Sequence, residues 1–217
     1  VGTGSSAVQV VAALAPEAGH LTVFQRQPGW VLPKRDRDYT AVERRVFERR
    51  WAQRLDRIRL YLRQERREWR GALFRPGTRH HRWGEAVCRR FIAEIFAERP
   101  DLAAAVTPDY PFAGKRPVVS SDFYPALLRE NVTLVPRAVS RCTTDGVVDA
   151  DGVEHPADVL VLATGFEASR YLASLEVRGP GGLDLHRVWG DDPYALLGLM
   201  LPGFPNFFVM YGPNTNG

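Results

Sequence analysis

A chain of 217 residues with 45% hydrophobic and 25% charged residues has an ordinary globular composition and enough length for one or two domains. Its longest apolar runs, residues 158–164 and 194–201, are too short to cross a bilayer, so no membrane span is expected. Cys88 and Cys142 supply neither a disulfide framework nor a metal-binding spacing, and a cytoplasmic location is the default expectation. The formal net charge of +4 fits an anionic ligand, nucleic acid or an acidic surface.

The first seven residues, Val-Gly-Thr-Gly-Ser-Ser-Ala, form a G-x-G-x-x-A fingerprint, typical of the turn between the first strand and first helix of a dinucleotide-binding unit. We expect Gly2 to allow the tight turn, Gly4 to let the backbone approach a pyrophosphate, and Ala7 to permit close helix–strand packing. A helix predicted over 5–18 and a strand over 21–25 continue a βαβ unit. Because no strand precedes the glycines in this sequence, we expect the chain to be a piece of a longer protein.

The residues at the end of the predicted strand indicate which coenzyme binds. NAD-specific sites usually carry Asp or Glu there to bind the ribose 2′-hydroxyl, whereas this chain has Gln25, Arg26 and Gln27. An arginine at this position suits a 2′-phosphate, so NADPH is favoured over NADH. A solvated surface arginine is the alternative interpretation of Arg26.

Residues 40–70 are dominated by Arg and Glu, with apolar residues mostly three or four positions apart. This spacing predicts one long amphipathic helix or two short ones, and 85–98 repeats the pattern, so we interpret 40–106 as a helical insertion. Mixed charges at such spacing are typical of a solvated, salt-bridged surface, so no nucleic-acid partner is predicted; binding to RNA or an acidic membrane is the alternative. His80 and His81 lack a matching carboxylate or cysteine pattern, and no metal site is predicted.

From Thr107 onward, short extended runs and turns return. A helix is predicted over 122–129, and the Asp-Gly pairs at 145–146 and 151–152 fit hairpin turns. The continuous apolar run 158–164 is typical of a buried parallel strand. Further extended segments are predicted at 118–119, 132–135, 139–143 and 207–211.

Five motifs occur in a characteristic order: Gly2-Thr-Gly-Ser-Ser-Ala7, Thr22-Val-Phe-Gln-Arg26, Leu162-Ala-Thr-Gly-Phe166, Pro202-Gly-Phe-Pro-Asn206 and Tyr211-Gly-Pro-Asn-Thr-Asn216. In this order they resemble the class B flavin-dependent monooxygenases, and within them the Baeyer–Villiger type. The resemblance covers the whole chain, most weakly over the Arg-rich segment. It implies an α/β fold with a Rossmann-like NADPH-binding domain that carries a helical insertion, followed by the C-terminal part of an FAD-binding domain.

The resemblance also implies the domain organisation. Residues 1–39 and 107–157 would be the two parts of the NADPH-binding domain, and 40–106 the helical insertion between them. Residues 158–217 would be part of the FAD-binding domain. The signature that separates Baeyer–Villiger enzymes from N- or S-oxidising relatives is expected upstream of these residues, so both reactions stay open.

The implied cofactors are FAD and NADPH, and the implied substrates are O₂ and a ketone or heteroatom compound. By resemblance, Lys115 binds the NADPH 2′-phosphate together with Arg26, and Arg116 is the catalytic residue that stabilises a negatively charged oxygenated flavin. The alternative for Lys115 and Arg116 is a pair of solvated loop cations. The expected cofactor-binding residues are Gly2, Thr3, Gly4, Ser5, Ser6, Gln9, Arg26, Gln27, Lys115, Thr164, Gly165 and Asn214.

The predicted enzyme reduces FAD with NADPH and inserts one oxygen atom of O₂ into a ketone or oxidises a heteroatom. Two alternatives stay open. One is an NADPH oxidoreductase like the flavin disulfide reductases, which the absence of a Cys-x-x-Cys motif disfavours. The other is a noncatalytic module that binds nucleotides or nucleic acid. As an isolated polypeptide the chain is expected to lack turnover.

Overall fold

The computed structural model describes residues 1–34, 36–68, 75–167 and 170–215. Within these ranges the chain has mixed α/β content and forms two compact units, Val1–Thr164 and Gly165–Gly217. The helices and strands, in chain order, are α1 (Ser5–Leu14), β1 (Leu21–Phe24), β2 (Val31–Leu32), α2 (Ala41–Phe47), α3 (Arg50–Glu68), α4 (Arg79–Ile95), α5 (Pro100–Val106), β3 (Val118–Val119), α6 (Phe123–Leu127), β4 (Val132–Val135), β5 (Val139–Cys142), β6 (Gly146–Asp149), β7 (Glu154–Pro156) and α7 (Leu185–Trp189).

Strand β1 is the centre of the hydrogen-bonded framework in the first unit. It pairs in parallel with β4, from Leu21 beside Val132 to Phe24 beside Val135. On the opposite edge of β1, the backbone amide of Gly2 donates to the Phe24 carbonyl at 3.0 Å. The first residues of the chain therefore continue the sheet on the side of β1 that faces away from β4.

Residues 1–2 are hydrogen-bonded in turn to residues 161–163. The Ala163 amide donates to the Val1 carbonyl at 3.0 Å, and the amino group of Val1 donates to the Val161 carbonyl at 2.7 Å. The spatial order is therefore β4, β1, residues 1–2 and residues 161–163. The glycine motif thus starts from the middle of this arrangement, beside β1.

Helix α1 packs on this framework through one apolar face. Its buried residues Ala7, Val8 and Val11 lie one to four positions apart and share that face. Val8 and Val11 belong to an apolar core that also contains residues of β1, β4, α4, α5 and α6, including the buried rings of Phe96 and Tyr124. This core fixes the orientation of α1, whose N-terminus follows the glycine motif.

The antiparallel sheet β5–β6–β7 encloses a buried carboxylate. Asp149 accepts hydrogen bonds from the amides of Asp151 and Val153, both at 3.0 Å, and from Arg137 Nε and His155 Nε2, both at 3.1 Å. Burial by itself raises the pKa of Asp149, but the His155 and amide hydrogen bonds and the Arg137 charge outweigh burial and lower the pKa to about 2. The turn after β6 is therefore closed around an anion.

The described part of 40–106 is helical, as predicted, and its first part consists of two helices, α2 and α3. A capping box begins α2: Thr40 Oγ1 accepts from the Glu43 amide, and the Glu43 carboxylate accepts from the Thr40 amide. Apolar side chains of both helices are exposed, among them Val42, Trp51 and Leu55. In the described ranges, no helix combines the length and the apolar character needed to cross a membrane.

The predicted strand at 158–164 is wrong. No strand is assigned there, and Val159 and Leu162 are 77% and 68% exposed. A buried parallel strand needs bonded neighbours and packed layers on both faces. Among the described residues, the backbone hydrogen bonds of this segment go only to Val1.

Two other predicted elements, a helix and a strand, also differ from the structure. Helix α1 ends at Leu14 and not at residue 18, because Pro16 has no backbone N–H to continue the helical pattern. The predicted strand at 207–211 is wrong: Phe208 forms an isolated bridge with Met200, and a turn follows immediately. Local β propensity there is not matched by a second extended partner of comparable length.

The second unit is organised around α7. The Asp184 carboxylate caps this helix by accepting from the Arg187 amide at 2.9 Å. The indole of Trp189 donates to the Tyr194 carbonyl at 2.7 Å, so the buried ring has its polar atom satisfied. The core of this unit contains Leu185, Trp189, Leu201, Phe204 and Val209.

Candidate functional site

The two glycines of the opening motif have different surroundings. Gly2 has a φ of +108°, and a Cβ added there would lie 2.5 Å from the Ala163 carbonyl oxygen. Only glycine therefore fits between β1 and residues 161–163. Gly4 has an extended backbone, and an added Cβ would meet no described atom within 4 Å. The space beside Gly4 is thus open to a ligand, while the space beside Gly2 is filled by the protein.

Gly4 is also the N-cap of α1, and no side chain caps this helix. The Val8 amide makes the first bond of the helix, to the Gly4 carbonyl at 3.0 Å. The amides of the first turn, at Ser5, Ser6 and Ala7, consequently have no acceptor within the helix. Such a helix end attracts anions, because free N–H groups and the helix dipole act in the same direction.

Lys115 is brought to the end of β1 from a distant part of the sequence. Its ammonium donates to Gln27 Oε1 and lies 5.3 Å from the centre of the Tyr110 ring. The Thr3 hydroxyl donates to the Gln27 carbonyl at 3.5 Å, which connects the glycine motif to the same point. Lys115 and Thr3 therefore meet at the residue that directly follows Arg26.

The charge at this point is positive and lacks carboxylate partners. Arg26 and Arg116 are exposed, and neither they nor Lys115 forms an ion pair with a residue in the described ranges. Gln27, which Lys115 contacts, itself donates from Nε2 to the Asp109 carboxylate at 3.4 Å. Cations that have no internal partner are available to an external anion.

The loop that carries Lys115 is held at its base by the connection between β1 and β2. Trp30 Nε1 donates to the Tyr110 carbonyl at 3.0 Å, and the Tyr110 hydroxyl donates to the Pro28 carbonyl at 3.2 Å. The Trp30 ring is buried. These contacts couple the position of Lys115 to the segment that follows Arg26. These contacts could not be predicted from the sequence, since aromatic residues scattered over a chain form no motif.

An open cleft of about 570 Å³ lies beside α1 in the first unit. Ser5 and Gln9 line one wall, and the Gln9 amide donates to the Ser5 carbonyl at 3.1 Å. Lys34, Ser120 and Asp122 are among the residues that line the other wall. Ser5 and Gln9 were predicted as coenzyme-binding residues, whereas Lys34, Ser120 and Asp122 were not, because only folding brings the segments around β2 and β3 to α1.

The remaining predicted site residues lie further along the chain. Thr164 is exposed at the end of the first unit. In the second unit, Gly165 has a φ of +101° with open space where a Cβ would be, and Asn214 has a φ of +62° and is exposed. No hydrogen bond joins Gly165 to Asn214 in the part of this unit that the structure describes. The cofactor roles of all three stay predictions.

The two cysteines show no redox pairing. Both are free; Cys88 is buried in α4 and Cys142 is exposed at the end of β5. Burial raises the pKa of the Cys88 thiol to about 12, so this group stays protonated and unreactive near neutral pH. This chemistry does not suit a dithiol reductase.

The chain is similar to known monooxygenases over its whole length. It is 38% identical to the FAD-binding monooxygenase ktnD of Aspergillus niger over 221 residues, covering 100% of this chain and 35% of that protein. It is 38% identical to a Baeyer–Villiger monooxygenase of Pseudomonas aeruginosa over 218 residues, covering 99% of this chain and 40% of that protein. The chain thus spans less than half the length of these curated relatives.

The same similarity is found among solved structures. The crystal structure of cyclohexanone monooxygenase from Rhodococcus sp. Phi1 bound to NADP⁺ superposes with a TM-score of 0.76 at 30% identity, covering 98% of this chain and 47% of that one. No family model matches the chain. The full-length alignments and the shared fold agree with the five motifs. The chain is therefore a part-length homologue of the FAD-binding and Baeyer–Villiger monooxygenases.

Proposed function

We propose that this chain is the NADPH-binding part, with a portion of the FAD-binding part, of an enzyme that transfers one oxygen atom from O₂ to a ketone or to a heteroatom. The observation that carries the proposal is that Lys115 contacts Gln27, the residue after Arg26, to which Thr3 of the glycine motif also bonds. Arg26, Lys115 and Arg116 form no ion pair with a described carboxylate, and the N-terminus of α1 has no side-chain cap. Paired arginine and lysine side chains suit a phosphate monoester.

Different residues would bind different parts of the coenzyme. The first-turn amides after Gly4 would hold the pyrophosphate, and Arg26 with Lys115 would hold the adenosine 2′-phosphate, with Gln27 orienting the lysine. The order β4, β1, residues 1–2 and residues 161–163 suits a Rossmann-like domain, whose coenzyme lies across the glycine turn. Bound NADPH supplies a hydride, and bound FAD passes electrons to O₂.

Arg116 would act as a fixed positive charge for the oxygen-transfer step. It is exposed and directly follows Lys115, so it lies at the edge of the proposed coenzyme site. A guanidinium stays protonated at any working pH and can stabilise a developing anion without a proton transfer. Thr164, Gly165 and Asn214 would contribute to the FAD site. Residues 1–39 and 107–157 would form the NADPH-binding domain, 40–106 the helical insertion, and 158–217 part of the FAD-binding domain. A cytoplasmic location stays a prediction.

The coenzyme assignment is tested by titrating the chain with NADP⁺ and NAD⁺ in a calorimeter. We expect Arg26→Ala and Lys115→Ala each to weaken NADP⁺ binding about tenfold, which corresponds to about 1.4 kcal/mol, and to leave NAD⁺ binding unchanged. Arg90→Ala, an exposed change on α4, serves as the control. Equal loss for both coenzymes would refute a 2′-phosphate contact. Salt-dependent RNA binding that maps to α2 and α3 would support the nucleic-acid alternative instead.

A further inference from the structure

The loop that carries Lys115 is hydrogen-bonded to helix α4, which lies within the predicted helical insertion at 40–106. The imidazole of His81, only 5% exposed, lies with Nε2 at 2.6 Å from the Phe112 carbonyl oxygen. A carbonyl oxygen can only accept, so Nε2 carries the hydrogen and donates it. His81 is placed in the first turn of α4, which the Thr78 hydroxyl caps by accepting from the His81 amide at 3.1 Å.

The Phe112 side chain is fixed as tightly as its carbonyl. Its ring is 1% exposed and packs in one cluster with Trp30 and Cys88. A Cβ added at Gly84, one turn after His81, would lie 2.6 Å from the Phe112 ring. The absence of a side chain at Gly84 is therefore what admits this ring against α4.

The turn between Phe112 and Lys115 has a strained backbone. The Gly114 amide donates to the Pro111 carbonyl at 3.0 Å, and Ala113 has a φ of +61°. A non-glycine residue keeps this left-handed conformation when the surrounding contacts enforce it. The enforcing contacts lie on both sides of Ala113: His81 and Gly84 hold Phe112, and Lys115 is held by Gln27.

We propose that His81 is a positioning residue for the coenzyme: by holding the Phe112 carbonyl against α4, it sets the place at which Lys115 meets a 2′-phosphate. The proposal rests on the role given to Lys115 above and assigns the helical segment a part in coenzyme discrimination. Loss of the His81 hydrogen bond frees the turn, so Lys115 samples positions away from Gln27. The resulting loss of affinity affects a coenzyme that carries the 2′-phosphate and does not affect one that lacks it.

The test compares three variants of the chain. His81→Phe keeps an aromatic ring without the donor, His81→Gln restores an N–H donor at about the reach of Nε2, and His80→Phe makes the same replacement at the exposed neighbour. We expect His81→Phe to weaken NADP⁺ binding about three- to tenfold with NAD⁺ binding unchanged, the range that one hydrogen bond supports. His81→Gln should recover most of the loss, and His80→Phe should bind as the original chain does.

Hydrogen–deuterium exchange separates this proposal from the coenzyme assignment, because it is read without ligand. We expect faster exchange in His81→Phe at the amides of residues 113–116, with exchange in α1 and β1 unchanged. Gly84→Ala, which pushes on the Phe112 ring, should speed exchange at the same amides. Unchanged exchange in both variants, or equal weakening of both coenzymes, would overturn the positioning role. Failure of the original chain to prefer NADP⁺ would overturn the coenzyme assignment. The exchange result would then still decide whether His81 holds the Phe112 turn.

Discussion

The two glycines of the opening motif predict opposite outcomes for the same substitution. Gly2→Ala places a methyl group 2.5 Å from a backbone oxygen that belongs to Ala163, in a residue whose φ is +108°. Gly4→Ala places a methyl group in open space on an extended backbone with φ of −78° and ψ of −172°. We expect the first change to lower stability and the second to lower coenzyme affinity.

The magnitudes follow from the two environments. At Gly2 an alanine pays about 1–2 kcal/mol for the positive φ. Moving the Ala163 carbonyl weakens a neighbouring backbone bond by about 1 kcal/mol more, and the reduced freedom of the unfolded chain offsets about 0.5 kcal/mol, so the net loss is about 1.5–2.5 kcal/mol. At Gly4, alanine is a poorer N-cap than glycine by about 0.5–1 kcal/mol, and the reduced freedom of the unfolded chain offsets a similar amount. The net change in stability there is about zero.

Urea unfolding followed by circular dichroism measures the first effect, and calorimetric titration with NADP⁺ measures the second. With a slope of about 2 kcal/mol per molar urea, Gly2→Ala should lower the midpoint by roughly 0.7–1.3 M. Gly4→Ala should keep the midpoint and lose at least about tenfold in NADP⁺ affinity, since its methyl group fills the space in which a pyrophosphate would approach the backbone. Equal midpoints for the two variants, or full affinity in Gly4→Ala, would refute this reading of the motif.

Two further predictions concern buried polar groups. The Tyr124 hydroxyl is buried without a hydrogen-bond partner among the described residues, so Tyr124→Phe should raise the free energy of unfolding by about 1 kcal/mol in urea, and a decrease would reveal a partner. The pKa of Asp149 is lowered to about 2, so its contribution to stability is complete above about pH 4 and is lost as the pH falls toward 2. Asp149→Asn should therefore unfold at lower urea than the original chain at neutral pH, with the gap narrowing below about pH 4. Asp151→Asn, the exposed carboxylate on the same arginine, should change the midpoint little; a pH-independent gap for Asp149→Asn would contradict the assignment.

The start of the fold could be predicted because its signals are local. The spacing of Gly2, Gly4 and Ala7 dictates a turn followed by a packed helix, and the structure has α1 directly after Gly4 with Ala7 buried. The β-rich run after residue 20 became β1, since it is short, apolar and bounded by turns. The signals for both elements lie within about twenty residues of sequence, although β1 pairs with the distant β4 and α1 packs on a core that includes α4, α5 and α6.

The contact of Lys115 with Gln27 was not predicted; family resemblance paired Lys115 only with Arg26, around a shared phosphate. The two residues are far apart in sequence, and nothing in composition or spacing predicts that they touch. The contact depends on Tyr110 bonding to the segment around Trp30 and on Phe112 bonding to α4. His81 carried no recognisable signal for this role, because a hydrogen bond from a buried histidine to a carbonyl requires no partner motif in the sequence.

The helical segment shows where periodicity is informative and where it stops. Apolar residues at three- and four-residue spacing predicted helices correctly, and α2 and α3 formed. The same spacing places the apolar side chains on one face of each helix, and Trp51 and Leu55 on that face are 57% and 59% exposed. Periodicity reports that side chains share a face; it does not report what covers that face.

The apolar run at 158–164 likewise shows that a sequence pattern does not determine burial. Five consecutive apolar residues are typical of a parallel strand between two packed layers, and the run does lie beside the glycine motif, where the Ala163 amide bonds to Val1. A strand assignment needs a continuous ladder, and burial needs a layer on each face; the described residues supply one short contact and leave Val159 largely exposed. The apolar composition predicted a strand, while the neighbour, the secondary structure and the burial of this segment depend on contacts distant in sequence. Gly2 combines both effects: its motif is visible in the local sequence, whereas the steric requirement for glycine comes from the distant Ala163.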